Sequence, residues 1–314
     1  TKYSFSYDVT ELLKRGSGAE NVLAAEVSAG WWRDKILTPG LSNGFLGKKG
    51  AFRGTLALAY SDGRREEIVS DGKSWKCAVA GAVTHAAIFD GEEYDARIKN
   101  PLFGEGLHET PEINREFKGD ILPTSGAEVT LRRDLSMVRG PFNLKRGETL
   151  VVDFGQNCAA VPEFRFSAKR GTVLTALPAE MLNDADKGVR GCDGPKGSVY
   201  RANLRSPDAG MRVVYTFAGG ETETYLPRFT YFGYRYLSLT ATDEVTIESV
   251  ASIPVTSIKK EMETGSIETG DKALNQFISN VYWGQLSNYL SIPTDCPQRN
   301  ERMGWTGDAQ AYSR

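Results

Sequence analysis

Histidine is scarce in this chain and cysteine is scattered. His85 and His108 are the two histidines, and no Gly-x-Ser-x-Gly elbow accompanies them, which argues against a serine-hydrolase triad. Cys77, Cys158, Cys192 and Cys296 form no Cys-x-x-Cys pair, so no zinc site, redox motif or disulfide framework is indicated. The glycine-rich fingerprints of nucleotide-binding loops are missing too. No apolar run approaches the ~20 residues that a bilayer crossing needs. The opening Thr1-Lys2-Tyr3-Ser4-Phe5 has no charged-then-apolar leader. Basic and acidic residues nearly balance, 38 against 40 for a formal net charge of -2, and no basic stripe stands out. Neither nucleic acid nor a membrane is therefore an expected partner.

What remains is an ordinary globular composition, 40% hydrophobic and 25% charged over 314 residues, enough for two or three domains. Most of the first 255 residues read as short strands. Thr55–Tyr60 is followed by the hairpin signal Asp62-Gly63, and Glu67–Ser70 runs into Asp71-Gly72. Thr149–Phe154, Met211–Phe217 and Tyr234–Thr240 have the same β-rich character. Short strands at regular spacing predict β-sandwiches. Periodicity lapses between Asn100 and Pro123, where Gly, Pro and Glu are frequent, so this stretch reads as an interdomain connection. The expected division is a jelly-roll-like sandwich over 1–100, a second over 101–255, and a helical region over 256–314.

The period changes after Thr264. Leu274, Phe277, Ile278, Val281, Tyr282, Leu286 and Leu290 follow spacings of 3, 1, 3, 1, 4 and 4, one apolar face of a helix. Asp271 is the expected N-cap, and Pro293 forces the end, which places a helix over roughly 272–290. Directly after it comes Asp295-Cys296-Pro297-Gln298-Arg299-Asn300-Glu301-Arg302-Met303-Gly304-Trp305-Thr306-Gly307-Asp308. This run holds three carboxylates, two arginines and a tryptophan. A solvated charged loop would explain it, as would an internal ion-pair network in which Arg299 and Arg302 neutralise the acids. A ligand face would explain it equally, because Trp305 is a large aromatic set among charges. The chemistry that suits such a face is glycoside hydrolysis. One carboxylic acid protonates the leaving oxygen, a second carboxylate activates water or attacks, and an aromatic ring covers an apolar sugar face. Crowded negative charge also raises the pKa of an acid that must stay protonated.

At these residues a resemblance becomes specific. The Asp-Cys-Pro-x-Arg-x-Glu-Arg-x-Gly-Trp-x-Gly-Asp run resembles the hallmark of the bacterial α-L-rhamnosidases, glycoside hydrolase family 78. Tyr7–Leu13, Glu20–Ala24, Gly30-Trp31-Trp32 and Phe89–Arg97 resemble the family's N-terminal sandwich. Asp153–Asn157, Ala179-Glu180 and Pro227–Tyr236 resemble its second one. The resemblance implies a mainly β chain of two sandwiches, followed by the first helices of an (α/α)6 barrel that is incomplete here. It implies that Glu301 is the general acid, that Asp295 and Asp308 bind rhamnose hydroxyls, and that Trp305 lines the sugar site beside the methyl group. Arg299 takes a site-ordering or hydroxyl-binding role. The family inverts, so a separate glutamate acts as base, and that residue has no counterpart in these 314 residues. The expectation is therefore that the chain as given is inactive, while its full-length parent cleaves terminal α-L-rhamnosyl groups. Asn300 stands where an acid is frequent in the family, a departure that leaves Glu301 untouched. No cofactor is required. Calcium in the first sandwich is an expectation by analogy, with no ligands assigned and no metal site read from the sequence. The competing reading is a carbohydrate-binding sandwich module without catalysis. A pure binding module has no need of a helical entry that carries this set of acids.

Overall fold

Thr149 begins a strand of 20 residues that ends at Ala168, and the chain's largest sheet is built around it. The computed structural model describes residues 2–16, 18–33, 47–79, 81–99, 109–115, 118–124, 128–185, 191–204, 210–299 and 304–312. Among the described residues this sheet has 11 strands. Its path runs Val83–Ala87, Gly91–Asp95, Arg212–Thr216, Val173–Ala179, Phe232–Ala241, Thr149–Ala168 and Val245–Thr256. Thr130–Leu131, Met137–Arg139 and Phe142–Leu144 pair along the last of these, and Glu223–Tyr225 pairs with the long strand. Neighbours are antiparallel except Gly91–Asp95 beside Arg212–Thr216, which run parallel. The molecule is mainly β, as its alternating apolar runs predict.

The sequence explains the sheet's placement. Along Thr149–Ala168, Phe154, Phe164 and Phe166 are fully buried, and Phe217, Phe232, Tyr234, Leu237, Leu239 and Ile247 meet them in one core. The Phe166 ring lies 4.7 Å from that of Tyr215 and 4.6 Å from that of Phe217, within the range in which aromatic pairs attract. Gly91 has no substitute at its position. Its φ is +107°, and a Cβ there would lie 1.9 Å from the Arg212 carbonyl oxygen. The next residue, Glu92, is completely buried, and its carboxylate accepts from the Tyr225 hydroxyl (2.7 Å) and the Arg228 and Phe229 amides (3.0 and 2.9 Å). Three donors offset the cost of burying this charge.

The chain divides into two compact units. One comprises Ala29–Lys48, Ala82–Ile98 and Ala127–Arg314 and holds the large sheet; the other comprises Thr1–Ser28, Lys49–Gly81 and Lys99–Gly126. In the latter, Thr55–Ala59 and Arg65–Val69 form the hairpin that Asp62-Gly63 signals, with Gly63 at φ +87°. Lys2–Ser4 pairs in parallel with Ile121–Pro123, and Cys77 bridges to Glu109.

The helix after the sheet spans Lys272–Ser287. Asp271 caps it as expected, its side chain accepting from the Ala273 and Leu274 amides at 2.8 and 3.3 Å. Its apolar face is buried only at the C-terminal end. Leu286 and Leu290 are buried, whereas Leu274 and Phe277 are exposed. Trp283, which lies off that face, packs against the large core. The helix touches the sheet through its last turns, and there Tyr289–Leu290 leaves the helix to form a short bridge with Ile292–Pro293. No helix among the described residues is long and apolar enough to cross a membrane. All four cysteines are free thiols. His85 lies on Val83–Ala87, and His108 lies outside the described residues.

Candidate active site

The segment after the helix is fixed to the sheet at several points. Ser287, in the last helical turn, accepts the Ala159 amide of the long strand at 3.0 Å. The Ser257 amide donates to the Tyr289 carbonyl at 2.6 Å, and the Ser291 amide to the Ser257 hydroxyl at 2.8 Å. Further on, the Gly233 amide donates to the Pro297 carbonyl at 3.2 Å. Gly233 is a glycine because main chain lies against it. An added Cβ would come within 2.7 Å of Pro297 Cγ and 2.8 Å of the Gln298 nitrogen. The Phe232-Gly233-Tyr234 triplet, which begins two residues before the strand read in the sequence from Tyr234 and opens the strand Phe232–Ala241, is thus also the seat of the charged segment.

A second anchor joins the segment before the helix to Tyr282, in the helix's second half. Arg132 is buried, and its guanidinium donates to both oxygens of Asp134 at 2.9 Å, to Glu263 at 2.6 Å and to the Ile258 carbonyl at 3.3 Å. The pairing with Asp134, and then with Glu263, drives its pKa upward against the cost of burial. The same Glu263 oxygen accepts the Tyr282 hydroxyl at 2.9 Å, so this one carboxylate joins the connecting segment to the helix. Sheet, connection and helix are therefore held as one frame under the segment.

Two of the five candidate residues come together on that frame. Asp295 and Arg299 face each other four residues apart, with Nη2 at 3.5 Å from Oδ2, and both side chains are mostly buried. Asp295 Oδ2 also accepts the Cys296 thiol at 3.3 Å. Asp295 Oδ1 is buried and, among the described residues, has no hydrogen-bond partner. Trp305 is tied to the same loop by its amide, which donates to the Pro293 carbonyl at 3.0 Å, and it is 42% exposed. Asp308 lies in a short helix, Thr306–Tyr312, with only its backbone described. Glu301 lies outside the described residues, as do Asn300 and Arg302.

The sequence reading met Glu180 only in the Ala179-Glu180 pair that resembles the second sandwich, and gave it no role at the site. This residue follows the strand Val173–Ala179 and is partly buried. Its two carboxylate oxygens accept from Asn157 Nδ2 at 3.0 Å and Asn203 Nδ2 at 3.1 Å. Burial pushes its pKa up, opposed by the Asn157 hydrogen bond, the charge of Arg299 and the Asn203 hydrogen bond. Nearby Asp153 has another partner, Arg235, at 2.7 and 2.8 Å, which holds its carboxyl below the ordinary value. Among the described residues, no group of three or more His, Cys, Asp or Glu side chains gathers in a way that could hold a metal ion.

Comparison with known proteins gives this geometry its context. Three family models match in order along the chain. They are the alpha-L-rhamnosidase N-terminal domain over residues 1–114, the bacterial alpha-L-rhamnosidase concanavalin-like domain over 143–256, and the bacterial alpha-L-rhamnosidase 6 hairpin glycosidase domain over 262–314. An alpha-L-rhamnosidase of Streptomyces avermitilis is 33% identical over 98% of this chain and 28% of its own length. One of Formosa agariphila is 31% identical over 98% of this chain and 32% of its own. The crystal structure of Streptomyces avermitilis alpha-L-rhamnosidase complexed with L-rhamnose superposes with a TM-score of 0.68 at 28% identity, covering 91% of this chain and 26% of that one. The chain thus spans about 30% of the length of the curated relatives it matches. With all three models in family order and the likeness running almost end to end, the chain belongs to the bacterial α-L-rhamnosidases of glycoside hydrolase family 78.

Proposed function

We propose that this chain supplies the acid half of an inverting α-L-rhamnosidase, which removes terminal α-L-rhamnosyl groups from glycosides or polysaccharides. The observation that carries the reading is the anchored Asp295–Asp308 segment. It combines a buried carboxylate oxygen on Asp295, a guanidinium beside it and a half-exposed tryptophan. A buried carboxylate oxygen is suited to accept a hydrogen bond from a sugar hydroxyl. Trp305 offers the ring that an apolar sugar face needs, and a 6-deoxy sugar adds a methyl group to that face. Glu301 protonates the leaving glycosidic oxygen. Asp295 and Asp308 take hydroxyl hydrogen bonds, and Arg299 orders them. Inversion requires a water activated by a second carboxylate on the opposite side of the ring. That carboxylate is supplied from outside residues 1–314, so these residues alone do not turn over substrate. Carboxylates suffice for this chemistry, and no cofactor enters it.

The test compares hydrolysis of an aryl α-L-rhamnoside by residues 1–314, by a full-length protein that carries the complete hairpin domain, and by its Glu301→Gln variant. Cleavage is expected from the full-length protein alone, with a loss of at least about 100-fold in the variant, in line with the removal of a general acid. Efficient cleavage by residues 1–314 would sink the division of roles. A full-length protein that turns over another aryl glycoside but not the rhamnoside would keep the hydrolase and discard the sugar.

A further inference from the structure

The turn that leads into the charged segment is built on an unfavourable backbone. Among the described residues, Ser291 is the one residue other than glycine with a positive φ, at +64°. An L side chain at such a φ crowds the following carbonyl, so glycine is the usual occupant. The Ser291 side chain is exposed, and it buries no apolar surface that would offset the cost. Leu290 pairs with Ile292 and Tyr289 with Pro293, which leaves Ser291 alone at the tip of the reversal.

The end of the large sheet holds this turn. Ser257 directly follows the strand Val245–Thr256 and is buried. Its hydroxyl oxygen accepts the Ser291 amide at 2.8 Å, and its own amide donates to the Tyr289 carbonyl at 2.6 Å. The Thr256 hydroxyl reaches the same carbonyl at 3.3 Å. Leu290 is buried in one cluster with Ala159, Val161, Ile253 and Val255. A strained conformation persists where its surroundings over-determine it, and such residues gather at functional sites. At the strained residue itself, the holding group is the Ser257 hydroxyl. Ser257 stands between the concanavalin-like match, which ends at 256, and the hairpin glycosidase match, which begins at 262.

Two candidate sugar-binding residues depend on where the turn sends the chain. Pro293, two residues past the tip, presents the carbonyl that accepts the Trp305 amide at 3.0 Å. Thr294 is buried, and its amide and hydroxyl both donate to the Asn288 carbonyl, at 2.7 and 3.2 Å. Asp295 follows Thr294 directly. Asp295 and Trp305 are thus both referred to the same reversal.

We propose that Ser257 is a positioning residue for the rhamnosidase reaction. Its hydroxyl keeps Ser291 in the left-handed region, and the turn held in this way sets Asp295 and Trp305 against the sugar. This role rests on the function proposed above, because it requires those two residues to bind rhamnose.

The experiment is a double-mutant cycle in the full-length enzyme with wild type, Ser257→Ala, Ser291→Gly and the double variant. It measures kcat/KM on an aryl α-L-rhamnoside and inhibition by L-rhamnose. Glycine adopts φ +64° without strain and needs no acceptor to stay there. Ser257→Ala is expected to lower kcat/KM by at least about tenfold in the wild-type background and by less than about threefold in the Ser291→Gly background. The inhibition constant for L-rhamnose should rise in parallel, because the displaced residues bind the sugar. A merely structural Ser257 would lower the denaturant midpoint and leave the folded enzyme's kcat/KM at the wild-type value, and that result overturns the proposal. So do equal losses in the two backgrounds, or an inhibition constant that Ser257→Ala does not move. If the alanine variant does not fold, Ser257→Cys, similar in shape but a weak acceptor, passes through the same cycle and is judged by the same criterion. An inactive full-length wild type sinks the proposed function and the role of Ser257 with it, whereas an active wild type with an uncoupled cycle sinks the role of Ser257 alone.

Discussion

A single missing side chain allows the charged segment to lie against the sheet. At Gly233, a Cβ would meet Pro297 Cγ at 2.7 Å and the Gln298 nitrogen at 2.8 Å, and the second of these is backbone that cannot rotate away. Gly233→Ala must therefore push the segment off or bend the strand. Overpacking of this kind costs about 1–3 kcal/mol. A lower denaturant midpoint with an unchanged slope, and faster exchange of the Gly233 amide, are the expected results. A variant with a wild-type midpoint and a protected Gly233 amide would show that the loop does not need this contact. The contrast with Glu180 shows which residues a sequence can reveal. Asp295, Arg299 and Trp305 stand within eleven positions of one another, and their density of charge and aromatic character marks the segment without any structure. Glu180 is one carboxylate after an apolar strand. Its partners, Asn157 and Asn203, are each 23 residues away in opposite directions, and Arg299 is far beyond them. Strand register brings Glu180 to Asn157 across Phe232–Ala241, and register is set by pairings that no local window contains.

Among the elements, the helix Lys272–Ser287 shows both how far periodicity reaches and where it stops. The 3-and-4 spacing and the Asp271 cap locate its start correctly, because both are local: the cap is a side chain and two amides within three residues. The same spacing suggests one continuous buried face, yet Phe277 is 62% exposed and Leu286 is 3% exposed. Burial depends on what lies opposite, and the sheet meets only the last turns. A helix with so few contacts at its N-terminal end relies on its cap. Asp271→Ala should cost about 1 kcal/mol of stability in chemical denaturation, and Asp271→Asn, which keeps a side-chain acceptor, should recover most of it. If alanine and asparagine were equally costly, the cap hydrogen bonds would not be what starts the helix. The strands follow a similar logic. The Asp62-Gly63 hairpin is readable because its turn chemistry is local. The parallel pairing of Gly91–Asp95 with Arg212–Thr216 joins segments more than a hundred residues apart, and nothing in either segment announces it.

On the scale of the whole molecule, the apolar burial is concentrated in one of the two compact units. Every side chain of the large core cluster belongs to the unit with the 11-stranded sheet, from Phe89 to Val250. In the other unit all five residues of Arg65–Val69 are exposed, and Thr55–Ala59 alternates between exposed and half-buried. Apolar burial is the main favourable contribution to folding, and a two-stranded hairpin with no fully buried side chain is marginal in water. Local opening should therefore differ sharply between the units. In native-state hydrogen exchange, amides of Phe164, Leu237 and Ile253, on three adjacent central strands, should be among the slowest and approach the global unfolding free energy. Amides of the hairpin Thr55–Val69 should exchange through small openings, with protection lower by a factor of about a hundred or more, equivalent to at least ~2.7 kcal/mol. Equal protection in the two sets would mean that the hairpin is stabilised as strongly as the sheet, and that the burial pattern of this chain is a poor guide to where its stability lies. The expected inequality carries a consequence for the candidate site. Asp295 and Arg299 are anchored through Ala159 and Gly233 on the well-buried sheet and through Ser257, which directly follows the strand Val245–Thr256, so their geometry should persist through openings that melt the hairpin.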